Sequence, residues 1–101
     1  MLRNQVTLVG KLNKEAMITT FENGAKVARF YLTIKNQEKS GEVQSSCPMF
    51  AWGNTANFLS NFCQKGSDLA VSGRLVNRTY VNQKGEPKRV TEIEVRQVVK
   101  F

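Results

Sequence analysis

The segment from Gln5 to Leu12, QVTLVGKL, sets Val6, Leu8, Gly10 and Leu12 against Thr7, Val9 and Lys11, a period of two that predicts a β-strand. A shorter extended piece, Met17 to Phe21, runs into Glu22-Asn23-Gly24-Ala25, where Asn-Gly supplies the backbone angles of a tight hairpin turn. A second long strand follows from Lys26 to Asn36. It places Ala28, Phe30, Leu32 and Ile34 on one face and Arg29, Tyr31, Thr33 and Lys35 on the other. The first face is expected to be core, with Phe21 added to it by parity; the second is basic and aromatic.

Gln37 to Glu42, QEKSGE, is polar and is expected to be a loop. A third strand begins near Val43 and ends at Trp52. The smaller set Cys47, Met49 and Ala51 suits a narrow interior, leaving Phe50 and Trp52 outside, and Pro48 suggests an edge, a bulge or a strand start. Asn54 is a candidate cap for a helix from Thr55 to about Gln64, with Phe58 and Phe62 expected in the core and Gly66 as the stop. Asp68 to Val81 alternates again, with Leu69, Val71, Gly73 and Leu75 opposite Ser72, Arg74, Val76, Arg78 and Tyr80. A loop from Asn82 to Lys88 and a last strand from about Arg89 to Val99 complete the chain.

Five main strands with one short helix between strands 3 and 4 is the order of an all-β, five-stranded Greek-key barrel, the oligonucleotide/oligosaccharide-binding (OB) fold. Gly10 and Gly73 suit its sharply coiled strands. The 101 residues suffice for one such domain, residues 1–101, and are too few for two ordinary ones.

Composition narrows the function. Fifteen Lys and Arg against eight Asp and Glu give a net charge of +7, spread over both halves of the chain, which favours a polyanionic partner. Histidine is absent, removing the commonest general base and metal ligand. Cys47 and Cys63 lack C-x-x-C spacing and further soft ligands, so neither a metal site nor a redox pair is expected. Glu92 and Glu94 share one strand face, where charges are usually solvated, and no phosphate-cradling G-x-x-x-x-G-K pattern occurs. A binding module without catalytic residues or cofactor is expected. No apolar run approaches the roughly 20 residues that span a bilayer, and the N-terminus lacks signal-peptide order, so the expectation is a cytoplasmic protein off the membrane.

A single-stranded nucleic acid asks for cations to neutralise phosphates and exposed flat rings on which bases stack. The outward strand faces offer Trp52, Tyr80, Tyr31 and Phe50 as stacking candidates. Arg29, Lys35, Arg74 and Arg78 share those faces, and Lys84, Lys88 and Arg89 flank the last hairpin loop, together outlining a basic groove. Two other uses of the same surface stay open. Outward aromatics can bury in protein partners, as in an interaction adaptor, and stacking with a basic groove serves RNA as well as DNA.

Asn4-Gln5-Val6-Thr7-Leu8-Val9-Gly10-Lys11-Leu12, Asn23-Gly24, Val27-Ala28, Trp52-Gly53, Lys65-Gly66-Ser67 through Gly73-Arg74-Leu75, and Thr91-Glu92 resemble the bacterial single-stranded DNA-binding protein family over nearly the whole chain. The resemblance implies an OB barrel that forms a homo-oligomer, usually a tetramer, and wraps single-stranded DNA with little sequence preference in replication, recombination or repair. Trp52 and Tyr80 fall on aromatic positions of the family. Glu38 and Ser46 stand near positions that are often tryptophan there, and Pro48 replaces a basic or polar residue. The sequence ends at Val99-Lys100-Phe101, where the family commonly continues into a glycine-rich extension with an acidic tip, so recruitment of replication enzymes by such a tail is not expected. These features also resemble the related primosomal replication proteins, small dimeric barrels that bind single strands and protein partners.

Overall fold

The computed structural model describes residues 2–101. Its elements run β1 (Val6–Leu12), β2 (Met17–Thr20), β3 (Lys26–Glu38), β4 (Gly41–Trp52), α1 (Gly53–Phe62), β5 (Asp68–Val81) and β6 (Pro87–Lys100). The strands are ordered β1-β5-β6-β4-β3-β2, and an additional pairing of β1 with β3 closes five of them into a barrel. The short β2 lies outside that ring, paired only with β3. Counting the five barrel strands, the helix follows the third, as the OB pattern requires, and β4 with β6 forms the parallel pair.

Strand parity builds the core. Leu12, Ala28, Phe30, Leu32, Met49, Ala51, Leu69, Val71, Ile93 and Val95 point inward, and Ala56 and Leu59 of α1 pack beneath them. Cys47 is half-buried on the expected face, whereas Phe50 and Trp52 point out. Two glycines let the barrel close. A Cβ on Gly10 would come within 2.3 Å of the Thr33 carbonyl oxygen where β1 passes from β5 to β3, and one on Gly73 within 1.9 Å of the Glu94 carbonyl oxygen. Gly73 also marks a register shift between β5 and β6.

Several sequence expectations need correction. The predicted loop at residues 37–42 is mostly strand: β3 and β4 continue as a ribbon to the pair Glu38 and Gly41. A ribbon solvated on both faces has no need of apolar alternation, so its polar sequence looked like a loop. It is tied instead by Asn36 Nδ2 donating to Ser45 Oγ at 3.1 Å and by Lys35 beside Glu42 at 3.6 Å. The last hairpin is also tighter than expected, with β6 starting at Pro87. Asn82 Oδ1 accepts from the backbone N–H of Lys84 and of Glu86, so one side chain closes the turn.

The helix begins at Gly53, with Trp52 at the cap position and no side-chain cap bond, so Asn54 lies within the first turn. Its stop is Cys63, already extended; Gly66 sits in the next turn, where its N–H donates to the Leu12 carbonyl. Phe62 is exposed and rests on Phe58 with ring centroids 5.3 Å apart. Phe21 is exposed too, because it follows the end of β2 in a turn where strand parity no longer applies. Leu75 lies beyond the bulge and is exposed, while Asn4 pairs with its backbone N–H and carbonyl. No helix among the described residues is long and apolar enough to cross a membrane.

Candidate nucleic-acid interface

The outward residues of β3, β4, β6 and β5 form one sheet face. A single row crosses all four strands: Arg29 opposite Phe50, Phe50 opposite Glu94, and Glu94 opposite Arg74. Tyr31 stands opposite Pro48 on β4 and is exposed. At one end of β4, Trp52 is 45% exposed and its ring centroid lies 6.0 Å from that of Phe21, with the planes tilted by 32°. With Glu22, Asn23 and Ala25 these two rings line an open groove. Tyr80 continues the face onto the β5–β6 hairpin, opposite Lys88.

The arginines are held. Arg29 Nη1 lies 3.1 Å from Glu92 Oε2, and Arg78 Nε lies 2.7 Å from Glu92 Oε1. Glu92 is only 5% exposed, so the expectation of a solvated carboxylate fails at this position. Burial of that charge is tolerable because each oxygen takes a charge-assisted hydrogen bond. The same contacts park Arg29 over the Phe50 ring, 5.5 Å from its centroid, and Arg78 over the Tyr80 ring at 5.6 Å. The bond to Glu92 raises the Arg78 pKa above its ordinary value, against a smaller opposing effect of burial. Arg74 Nε donates to Glu94 Oε1 at 2.7 Å, with Arg96 Nη2 at 3.5 Å from the same oxygen. The Arg74 hydrogen bond, more than the charges of Arg74 and Arg96, holds the Glu94 carboxyl below the usual carboxylate range, with burial opposing it.

The structure thus brings Trp52, Phe50, Tyr31, Arg29, Arg74, Arg78, Tyr80 and Lys88 onto one face. Lys35 lies farther out on the β3–β4 ribbon, paired with Glu42. Lys84 occupies the hairpin turn, and Arg89, opposite Thr79, falls on the other parity of β6 from Lys88. Sequence reasoning missed Phe21 and the two glutamates. Folding the chain back about residues 82–86 would have found the latter, since it sets Glu92 and Glu94 opposite Val76 and Arg74. Ser46 is engaged in polar packing: Asn13 Nδ2 donates to Ser46 Oγ and to Thr33 Oγ1, each at 3.2 Å.

Comparison with known proteins bears on the fold and the family of the chain. Single-stranded DNA-binding protein B of Bacillus subtilis is 39% identical over 95 residues, covering 89% of this chain and 82% of that protein. Single-stranded DNA-binding protein A of the same organism is 38% identical over 98 residues; the match takes in 94% of this chain and 57% of the relative's length. Among solved structures, a Plasmodium falciparum SSB complex with ssDNA superposes with a TM-score of 0.89 at 20% identity, over 100% of this chain and 97% of that one, which shows the same fold. The model of the single-strand binding protein family matches residues 3–101, and the chain belongs to that family.

Proposed function

We propose that this chain binds single-stranded DNA with little sequence specificity, in replication, recombination or repair, by stacking bases on outward aromatics while basic side chains contact phosphates. The observation that carries the reading is the continuous face in which Trp52, Phe50, Tyr31 and Tyr80 alternate with the guanidiniums of Arg29 and Arg78. Flat rings take any base, so such a surface tolerates sequence, and a net charge of +7 draws in a polyanion. Family membership supports it, as do the names of the relatives, which are single-stranded DNA-binding proteins. The role is binding without a chemical step. It needs no cofactor, and residues 1–101 act as one domain.

A homo-oligomer is part of the reading. Val9, Ala70 and Val99 lie in register across β1, β5 and β6 on the outward face, with Val9 and Val99 exposed, an apolar row that a second copy would cover. The mass in solution, by light scattering, tests this part.

Trp52 is the only tryptophan, so its fluorescence during titration with an oligo-thymidine strand reports on the face directly. Quenching that weakens as salt rises is the expected result. No quenching, with no binding detected by a mobility assay, overturns the function. A matched oligo-uridine competitor that binds more tightly reassigns the surface to RNA.

A further inference from the structure

The face described above contains a carboxylate, Glu92, whose charge opposes the binding of phosphate there. We infer that Glu92 is a specificity-determining positioning residue: it holds Arg29 and Arg78 flat as base-stacking planes beside Phe50 and Tyr80, and withholds them from service as phosphate clamps. The inference deepens the proposed single-strand binding and rests on it.

The geometry supports this at each link. Glu92 is almost fully buried beneath the two guanidiniums, each of its oxygens taken by one of them. The arginines come from opposite sides of β6, Arg78 from its neighbour β5 and Arg29 from β3 beyond β4, so the carboxylate is the common anchor that fixes both. The side chain opposite Glu92 in the hairpin is Val76, which offers no competing charge. Arg29 is bound through Nη1 and Arg78 through Nε, and about half of each side chain stays exposed. A guanidinium held in this way presents a plane, and planar guanidiniums stack on bases as they do on aromatic rings.

The charge count points the same way. Two guanidiniums and one carboxylate sum to +1, so the trio counts as one cation toward the phosphate backbone, while offering bases two cationic planes, each laid over an aromatic ring. Stacking contributes little to salt dependence, whereas each neutralised phosphate on a single strand contributes about −0.7 to the log–log salt slope. Glu92 therefore moves binding from salt-sensitive contacts towards salt-tolerant ones.

Two variants of the full chain test it, each titrated with oligo-thymidine across a range of salt and checked for folding by circular dichroism. Glu92→Gln removes the anchor charge and frees one arginine for phosphate. The salt slope should steepen by about 0.7, with tighter binding at low salt and weaker binding at high salt than in the parent chain. Arg78→Lys keeps the charge and loses the plane, and should bind roughly tenfold more weakly at every salt concentration with the slope unchanged. A Glu92→Gln slope equal to the parent's overturns the inference, as does an Arg78→Lys variant that binds like the parent. Should Glu92→Gln fail to fold, the Arg78→Lys result decides. If the parent chain itself shows no binding, the proposed function falls and this inference with it; parent binding with unaltered variants removes the inference alone.

Discussion

The Trp52 indole and the Phe21 ring lie 6.0 Å apart, centroid to centroid, and both are about half exposed. Trp52 ends β4 at the helix cap position and Phe21 follows β2, so two otherwise separate elements meet in one aromatic corner. The pair gives the face a wall as well as a floor. Trp52→Ala should lower oligo-thymidine affinity by about 1–3 kcal/mol, roughly fivefold to 150-fold. Phe21→Ala should show a smaller loss in the same direction, because the indole remains but loses its neighbour. Anisotropy titrations of a labelled oligonucleotide measure both, and equal affinity of Trp52→Ala with the parent would remove the indole from the site.

The barrel was legible because a buried face forces period-two alternation, and Ala28, Phe30, Leu32, Met49, Ala51, Leu69 and Val71 obey it. Legibility ended where one face ceased to be buried. Residues 37–42 form a ribbon wet on both sides, so nothing in their pattern distinguished strand from loop. Phe21 misled because strand parity marks it as core, whereas it lies past the end of β2 in the turn before Asn23-Gly24, where parity no longer applies. Tyr31 and Tyr80 could be placed on outer faces by parity, and Trp52 by parity together with the small size of Cys47, Met49 and Ala51 on the other face of its strand. The pairing of Arg29 and Arg78 through Glu92 could not, because it joins strands that are distant in sequence and depends on the barrel order.

Gly73 faces the backbone of β6 so closely that any Cβ would overlap the Glu94 carbonyl, and no flexible side chain is there to yield. Gly73→Ala should destabilise the fold by about 2 kcal/mol or more, read as a lower midpoint in urea. The register shift at Ser72/Gly73 would also be disturbed, displacing Arg74 from Glu94. Unchanged stability would show that the two strands separate more easily than their spacing implies.

Glu94 gives stability a pH dependence of defined sign. Its carboxyl is held below the ordinary value of 4.5, first by the Arg74 hydrogen bond, so the native state binds fewer protons than the unfolded chain in that range. The contribution is fully present above pH 4.5 and is lost as pH falls through the lowered native value. Urea midpoints measured from neutral pH down through this window should decline, and Glu94→Gln should flatten the decline while lowering stability at neutral pH. An identical acid limb in parent and variant would show that other carboxylates account for it.

The hairpin cations differ from those on the strands in having no carboxylate to satisfy first. Arg29, Arg78 and Arg74 are bound to Glu92 and Glu94, and Lys35 stands 3.6 Å from Glu42, whereas no acidic side chain among the described residues lies within ion-pair distance of Lys84 or Lys88. A phosphate meeting Lys88 therefore displaces only water and mobile ions, and Tyr80 stands opposite it across the hairpin. Lys88→Gln should reduce the log–log salt slope by about 0.7 and weaken binding chiefly at low salt. Lys35→Gln should change both quantities less, since it also releases Glu42. Measuring the four quantities on one oligo-thymidine strand compares the two sites directly; equal effects at Lys35 and Lys88 would mean that the Lys35 pair is too loosely held to matter, as exposed pairs often are.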